Sequence, residues 1–268
     1  MDVKKSYSDG TILATLAEPG LGRLVVNRPE KRNALTDAMW RAIPEAIEWL
    51  IAKQSVHVIT IEGAGGRDFS AGADIAEFDT LRKDAASART YEAGNSMAFA
   101  AIRNAPVPVL AVIRGICFGG GFGLAAAADL RIADTTARFA IPAGRLGLAY
   151  PVDAVTDIVR ALGDQQARQA LYTGKEFSAE HARDIGCLLS LCSPEALDTE
   201  ATALARSVAA AAPLSVRASK AAISSLASRR DDDLRKAKSL ADATFDSRDY
   251  AEGRAAFRDR RRPDFTGE

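Results

Sequence analysis

The feature that most constrains this chain is the segment 107–129 (VPVLAVIRGICFGGGFGLAAAAD), an apolar run followed by a cluster of glycines. The run from Val107 to Ile113 is broken only by Pro108, which is typical of a strand buried on both faces. Glycines 119–121 then let the backbone turn and approach another group closely. The alanine-rich end predicts a buried helix, whose first N–H groups lack helical partners. The segment therefore predicts either a tightly packed turn or a site for an anion or a developing oxyanion.

This glycine cluster does not indicate a nucleotide-binding loop. Glycines at 119, 120, 121 and 123 do not fit the pattern G-x-G-x-x-G, and no β-α-β unit opens the chain before them. The P-loop pattern G-x-x-x-x-G-K-[ST] does not occur in the sequence. Charges balance, with 35 Lys plus Arg against 35 Asp plus Glu, so neither nucleic acid nor a membrane surface is expected as a partner.

Cysteine and histidine usage gives no sign of a metal site. Cys117, Cys187 and Cys192 show no C-x-x-C spacing and the chain has two histidines, so no metal is expected and a reducing compartment fits best. The N-terminal residues lack the apolar core of a signal peptide, and Pro, Arg and Gly interrupt the longest apolar stretch. We therefore expect a cytoplasmic protein.

The order of predicted elements indicates an α/β core followed by a helical region. Thr36 is expected to cap an amphipathic helix that ends near Lys53. The other elements predicted before residue 150 are a β-hairpin at 11–17 and 22–27, an inner strand at 56–61, a mobile loop or frayed helix at 77–87, a helix at 88–103, and strands with a turn within 130–141. Beyond Ser193 almost every segment predicts a helix, which divides the chain into 1–193 and 194–268.

Two turns of small residues each follow a predicted inner strand. One is the segment 70–74 (SAGAD), and the other is the glycine triplet 119–121. If the turns lie side by side, one backbone N–H from each converges on a single oxygen, which stabilises an enolate or a tetrahedral oxyanion. The alternative is ordinary turn chemistry at two separate places.

Seven motifs in order carry a resemblance to a known family. They are NRPEKRNAL at 27–35, FSAGADI at 69–75, PVPVLAVIRGICFGGGFGLAAAADLRIA at 106–133, FAIPAGRLGL at 139–148, GKEFSAEHARDIGCL at 174–188, PLSVRASKAAI at 213–223 and SRDYAEGRAAFRDRRRPDF at 247–265. With these motifs the chain resembles the crotonase, or enoyl-CoA hydratase/isomerase, superfamily over almost its whole length. The resemblance implies a spiral of ββα turns in two nearly perpendicular sheets, with a helical C-terminal region that forms trimers, often paired as hexamers.

The same resemblance implies an acyl-CoA substrate and a set of binding residues. The N–H groups of Ala73 and Gly120 would bind the thioester oxygen. Coenzyme A would be part of the substrate, with no further cofactor and no metal. The residues that the resemblance places on coenzyme A are Lys31 or Arg32 at its phosphates, the backbone around Ala34, Ala71, Asp74 and Ile75 at its adenine and pantetheine, and Phe257 with Arg260 or Arg261, commonly from an adjacent subunit.

Two departures from the family pattern bear on the reaction. Hydratases of this family carry one glutamate after the glycine triplet and a second in a Pro-Glu pair, and here these positions are Gly123 and Ala143. Adding water across a double bond needs one group that activates the water and one that delivers a proton. The resemblance therefore implies an enolate-stabilising enzyme of the family in which hydration by the usual pair of carboxylates is not expected.

Other groups on the loop 144–153 (GRLGLAYPVD) are candidates to replace the glutamates. Asp153 is a candidate general base, or else an acid in the first turn of the next helix. Tyr150 is a candidate proton donor or substrate orienter, and Arg145 either binds a carboxylate of the acyl group or pairs at the surface. The alternatives are isomerisation, decarboxylation or thioester hydrolysis with this loop, or a CoA-thioester binder without turnover.

Overall fold

The computed structural model describes residues 3–53 and 55–268. The strands are β1 (Lys4–Tyr7), β2 (Ile12–Glu18), β3 (Gly20–Val26), β4 (Val56–Gly63), β5 (Val109–Ile113), β6 (Ile116–Phe118), β7 (Leu130–Asp134), β8 (Arg138–Ala140), β9 (Phe177–Ser178) and β10 (Ser190–Cys192). The helices are α1 (Asp37–Ile51), α2 (Phe78–Leu81), α3 (Ala85–Arg103), α4 (Gly120–Ala127), α5 (Val152–Leu162), α6 (Asp164–Thr173), α7 (Ala179–Asp184), α8 (Leu197–Ala209), α9 (Pro213–Ser228), α10 (Asp231–Ala243) and α11 (Arg248–Asp259).

The predicted hairpin and the predicted first helix are both present, and a further strand, β1, precedes them. Strands β2 and β3 pair antiparallel around the turn at residue 19, which confirms the predicted hairpin. Thr36 caps α1, because its side chain accepts a hydrogen bond from the Met39 N–H at 3.3 Å. The apolar stripe of α1 is buried against the sheet, so the helix is stabilised by packing as well as by its cap.

The larger sheet has seven strands in the order β1-β2-β3-β4-β5-β7-β10. Strands β1 to β3 are antiparallel, and the pairs from β3 to β10 are parallel. The predicted inner strand is confirmed, since β4 lies between β3 and β5. All five residues of β5 are buried, as its unbroken apolar sequence predicts.

The smaller sheet contains β6, β8 and β9, and it alternates with the larger sheet along the chain. After β5 in the larger sheet the chain enters β6 in the smaller one, and it repeats this step from β7 to β8. The strands predicted within 130–141 are therefore present, but they belong to different sheets and are not a hairpin. The turn between them takes the chain from the larger sheet, where β7 pairs with β5, to the smaller sheet, where β8 pairs with β6.

Helices cover both faces of the larger sheet. Helices α1, α3 and α4 contribute to the main hydrophobic core on one side. Leu197, Ala201 and Ala205 of α8 pack with Leu110 and Ile132 in a second cluster on the other side. The segment predicted as a loop or frayed helix is the short helix α2 followed by a turn, and α3 begins at Ala85 with Asp84 as its cap. In the part of the chain that the structure describes, no helix has the length and apolarity needed to cross a membrane.

Candidate active site

The two small-residue turns lie side by side, joined by backbone hydrogen bonds. The N–H of Ser70 donates to the Ile116 carbonyl at 2.9 Å, and the N–H of Phe118 donates to the Ser70 carbonyl at 3.0 Å. The segment around Ser70 therefore runs parallel to β6 and extends the smaller sheet. This pairing brings residues 71–73 next to the glycine triplet that begins α4.

Two glycines allow the close approach of these turns. A Cβ atom on Gly72 would lie 2.8 Å from the Phe118 carbonyl oxygen and 2.9 Å from the Gly120 nitrogen. A Cβ atom on Gly121 would lie 2.5 Å from the Ser70 carbonyl oxygen. Gly72 also has a φ of +91°, a conformation that side chains disfavour. The two turns thus require glycine for contact distance as well as for backbone conformation.

This arrangement leaves the N–H groups of Ala73 and Gly120 without a backbone acceptor among the described residues. The neighbouring groups of Ala73 are engaged, because Leu35 N–H donates to the Gly72 carbonyl and Asp74 N–H donates to the Leu35 carbonyl, both at 2.8 Å. Gly120 is the first residue of α4, so its N–H has no acceptor within the helix. Among the described residues neither N–H donates to a backbone carbonyl. A Cβ atom on Gly120 would lie 3.7 Å from the Ala73 nitrogen, so the two donors are neighbours.

Both residues line one partly enclosed cavity. Most of its wall is apolar, formed by side chains such as Ile75, Phe78, Phe99, Leu146 and Leu148. The polar side chains on the wall are those of Arg82, Glu92, Asn95 and Tyr150. The cavity therefore offers an apolar surface, two backbone donors and a small group of polar side chains.

Tyr150 lies on the cavity wall, whereas the other candidates from its loop do not. The Tyr150 hydroxyl lies 3.6 Å from the position of a Cβ atom on Gly119. Burial, followed by the negative charge of Glu92, raises the pKa of Tyr150, so its hydroxyl stays protonated in the neutral range. Asp153 is in the first turn of α5 and lies 3.2 Å from Ser96 Oγ and 3.6 Å from Arg103 Nη2. Arg145 donates to the Thr173 carbonyl at 2.9 Å, outside the cavity.

The residues that the family resemblance places on coenzyme A fall into two groups in the structure. Ala71 and Ile75 line the cavity, and Asp74 follows beside Ala73. Arg28 bonds to the Asp74 carboxylate at 2.6 Å and to the Ala34 carbonyl at 3.3 Å. Burial opposes ionisation of Asp74, but hydrogen bonds from Arg28 and Ala76 outweigh it and lower the pKa of Asp74. Lys31 and Arg32 are exposed on the short 3₁₀ turn before Ala34.

The C-terminal group lies apart from this cavity within the chain. Phe257 is 88% exposed and lines a separate cavity with Tyr250 and Phe265. Arg261 is held by Glu252 at 2.8 Å, and Arg260 ends α11 in a left-handed conformation. Within the described residues, nothing from 194–268 lines the cavity that contains Ala73 and Gly120. The structure of one chain therefore does not bring Phe257, Arg260 or Arg261 to that cavity.

Comparisons with known proteins show the family to which this chain belongs. The family model for enoyl-CoA hydratase/isomerase matches residues 17–268. The chain belongs to the enoyl-CoA hydratase/isomerase family. It is 33% identical over 252 residues to a crotonyl-CoA hydratase of Syntrophomonas wolfei, a match that covers 92% of this chain and 95% of the relative.

Solved structures of the family share the fold over almost the whole chain. An enoyl-CoA hydratase/carnithine racemase from Magnetospirillum magneticum matches with a TM-score of 0.90 at 35% identity, covering 100% of this chain and 97% of that one. An enoyl-CoA hydratase/isomerase family protein from Hyphomonas neptunium matches with a TM-score of 0.91 at 37% identity, covering 96% and 98%. The α/β class and the helical C-terminal region expected from the crotonase resemblance are thus confirmed.

Gly123 and Ala143, the positions at which the family resemblance places glutamates, have distinct surroundings in the structure. A Cβ atom on Gly123 would lie 2.6 Å from Cζ of Phe99, so the Phe99 ring occupies the space next to Gly123. Phe99 packs edge-on against Trp40, with ring centroids 5.6 Å apart. Ala143 is buried on the cavity wall. Packing has thus closed the space at Gly123, while position 143 still faces the cavity.

Sequence reasoning missed three polar side chains of this family site, those of Arg82, Glu92 and Asn95. Arg82 directly follows α2, in a segment predicted only as a loop or frayed helix. Glu92 and Asn95 lie on α3 with the spacing that also places Phe99 on the same helix face. The helix predicted over 88–103 contains this spacing, but only the tertiary packing shows which of its faces meets the cavity.

Proposed function

We propose that this protein is an acyl-CoA-thioester enzyme that stabilises a thioester enolate with the N–H groups of Ala73 and Gly120. The observation that carries the proposal is a pair of neighbouring N–H groups on the wall of one largely apolar cavity, with no backbone acceptor for either among the described residues. An apolar wall excludes water, so two oriented donors stabilise negative charge far better there than in solvent. Donors of this kind contribute on the order of 10²–10³ in rate each.

The family relatives support an acyl-CoA substrate for this site. Coenzyme A would be held by the segment from Lys31 to Ala34 and by the backbone of Ala71, Asp74 and Ile75. Phe257 and Arg260 or Arg261 would reach it from an adjacent subunit, since they lie away from the cavity of their own chain. Exposed apolar side chains in the C-terminal region, among them Ile223 and Leu226, support a homotrimer or a dimer of trimers.

The reaction that fits the cavity best is proton transfer next to the thioester. With Gly123 and Ala143 in place of the two glutamates, there is no pair of carboxylates to activate water and protonate Cα. Formation of the enolate still requires removal of a Cα proton, and its collapse returns a proton to the acyl chain. Isomerisation of a double bond needs these two proton transfers and no added water.

A second candidate reaction uses Tyr150, because its hydroxyl is on the cavity wall and its pKa is raised. A neutral phenol donates a proton or a hydrogen bond, so it suits an isomerase, decarboxylase or thioester hydrolase that protonates an intermediate. Tyr150→Phe would then lower kcat by about 10²-fold while leaving KM within a few-fold. Unchanged kcat in Tyr150→Phe would remove this candidate.

Mass spectrometry in deuterated water tests the proposed function. The protein is incubated with enoyl-, saturated, malonyl- and hydroxyacyl-CoAs, and conversion and deuterium at Cα are followed together. Deuterium uptake at Cα supports enolate formation, and conversion of one class names the reaction. Thioester binding without either signal favours a CoA-thioester binder without turnover and contradicts the proposal.

A further inference from the structure

The cavity contains one carboxylic acid among the residues that the structure describes, that of Glu92. Glu92 is on α3, whereas the family hydratase positions are in α4 and in the 3₁₀ turn after β8. It lines the same cavity as Ala73, Gly120 and Tyr150. A carboxyl group is therefore available in the cavity, from a different element of the fold.

The Glu92 carboxylate is held in place by partners on both oxygens. Oε1 forms an ion pair with Arg82, and Oε2 accepts a hydrogen bond from Asn95 Nδ2 at 3.3 Å. The Arg82 guanidinium lies over the rings of Phe78 and Tyr91, at 4.5 and 5.2 Å from their centroids. The side chains of Arg82 and Glu92 are only 11% and 23% exposed. Such a group is preorganised, because little rotamer freedom remains to be lost when a substrate binds.

Asn95 helps to fix the Glu92 carboxylate from the same helix. Its residue is 7% exposed, and its Nδ2 donates to Glu92 Oε2 while its Oδ1 atom is buried with no hydrogen-bond partner among the described residues. Because Asn95 also lines the cavity, the carboxylate and the amide that orients it lie on one face of α3.

We propose that Glu92 is the proton-transferring carboxyl of this site, acting in place of the glutamates that are absent at positions 123 and 143. The inference rests on the enolate chemistry proposed above. The Glu92 carboxylate takes a proton from Cα, the electron pair of that C–H bond becomes the Cα–C π bond, and the carbonyl π pair moves to the thioester oxygen. The N–H groups of Ala73 and Gly120 hold that oxygen. The protonated Glu92 then returns the proton to Cα, or to Cγ of an enolate conjugated with a double bond, so that no other reactant is consumed.

The pH dependence of this step follows from the groups around Glu92. Burial raises the pKa of Glu92, and the charge of Arg82 with the hydrogen bonds from Asn95 and Arg82 opposes that rise. The other titratable groups beside it are Tyr91 on its own helix and Tyr150 on the loop before α5, and the pKa of each is raised so that both are neutral near pH 7. As a base, Glu92 works in its ionised form. The exchange rate should therefore fall as pH drops through its raised pKa.

The test measures deuterium exchange at Cα of butyryl-CoA, and isomerisation of 3-butenoyl-CoA, in the wild-type protein and four variants. Glu92→Gln should lower exchange about 10²-fold or more, with the Kd for butyryl-CoA within threefold and the acidic limb of the pH profile lost. Glu62→Gln is the matched control. Glu62 is a buried glutamate on β4 that forms an ion pair with Arg23 on β3, and it lies outside the cavity. This control should keep exchange within twofold of the wild-type rate.

Two further variants separate proton transfer from a structural role. Arg82→Met breaks the same ion pair but keeps the carboxyl, so exchange should persist with its acidic limb moved to higher pH. The double variant Arg82→Met/Glu92→Gln removes both charges, so it leaves no unpaired charge and replaces Glu92→Gln if that variant fails to fold. It should bind butyryl-CoA but show no exchange.

The outcomes distinguish this inference from the proposed function. If Glu92→Gln, or the double variant in its place, exchanges like Glu62→Gln, then Glu92 is not the proton carrier, although enolate formation stands. If Arg82→Met is as inactive as Glu92→Gln, the ion pair and not the carboxyl is what matters, and the inference is overturned. If the wild-type protein binds both thioesters and exchanges neither, the enolate chemistry itself fails and the inference fails with it.

Discussion

The two walls of the cavity are built in different ways. One wall consists of backbone, with the N–H groups of Ala73 and Gly120 set by glycines that tolerate no Cβ atom. Another part of the wall consists of side chains, among them Phe99, Glu92 and Tyr150, which project from α3 and from the loop before α5. The backbone wall depends on the path of two glycine-containing turns, whereas the side-chain wall depends on which residues α3 and this loop carry. A backbone donor survives most substitutions and is lost when proline removes the N–H or the chain path changes, whereas a side-chain group is lost with any replacement of its residue.

The largest effect is expected where the backbone wall loses a donor. Gly120→Pro removes the N–H at the first position of α4, a position at which proline is accepted in helices. Turnover or Cα exchange should fall about 10²–10³-fold. Gly120→Ala is the matched control, since its Cβ atom meets the same Trp40 ring at 2.8 Å but the N–H remains. Equal losses in the two variants would mean that Trp40 packing, and not the donor, explains the effect.

The next effect concerns the approach of the two turns. Gly72→Ala forces a side chain into a φ of +91° and places its Cβ atom 2.8 Å from the Phe118 oxygen. We expect the free energy of unfolding to fall by about 1–3 kcal/mol and activity to fall with it, because the two donors move apart. Gly66→Ala has a φ of +66° with no atom within 4 Å of its Cβ position, so it should cost roughly 1 kcal/mol and keep activity. Urea unfolding and exchange assays measure both.

The side-chain wall should resist a simple return to the hydratase pattern. Gly123→Glu brings a side chain to within 2.6 Å of Phe99, so it should lower the free energy of unfolding by about 1–3 kcal/mol without a gain in hydration. Phe99→Ala should relieve this clash, so the double variant should lose about 1 kcal/mol less than the two single losses added together. Chemical denaturation of the three variants provides the cycle, and strict additivity would show that Phe99 does not exclude the glutamate.

The smallest effect is expected at Asp153. Its carboxylate is 36% exposed and lies 3.6 Å from Arg103, so Asp153→Asn should cost less than about 1 kcal/mol and change turnover less than threefold. Asp157 shares the same arginine but is only 1% exposed, so Asp157→Asn should cost about 3 kcal/mol. A loss of turnover in Asp153→Asn with stability unchanged would restore Asp153 as the general base. Thermal or urea unfolding and the exchange assay measure the comparison.

Local patterns in the sequence predicted the elements well where one physical signal dominates. The unbroken apolar run predicted β5, Thr36 predicted the start of α1, and the alternation around residue 19 predicted the β2–β3 hairpin. The segment 77–87 was harder, because it has no sustained apolar stripe and its helix α2 has a single turn. Strands β7 and β8 were predicted as strands. No local pattern in the sequence shows that they belong to different sheets.

The candidate site divides along the same line. The glycine-rich turns were visible in the sequence, because glycine and its spacing report directly on backbone conformation and on the family motifs. Glu92, Arg82 and Asn95 were not visible as site residues, because charged residues on a helix are usually solvated and their burial depends on what packs against them. Asp153 was a candidate from its position in the chain, yet its partners in space are Arg103 and Ser96.

The sequence by itself determined the family, the α/β elements and the two turns that must lie close together, since these follow from apolar patterns, glycine placement and ordered motifs. Tertiary structure alone decided which side chains face the cavity. Helix α3 presents Glu92, Asn95 and Phe99 to the cavity because it packs between α1 and α4, and the Phe99 ring takes the space beside Gly123 for the same reason. Burial and proximity across elements are properties of the packed molecule, and no local pattern in the chain contains them.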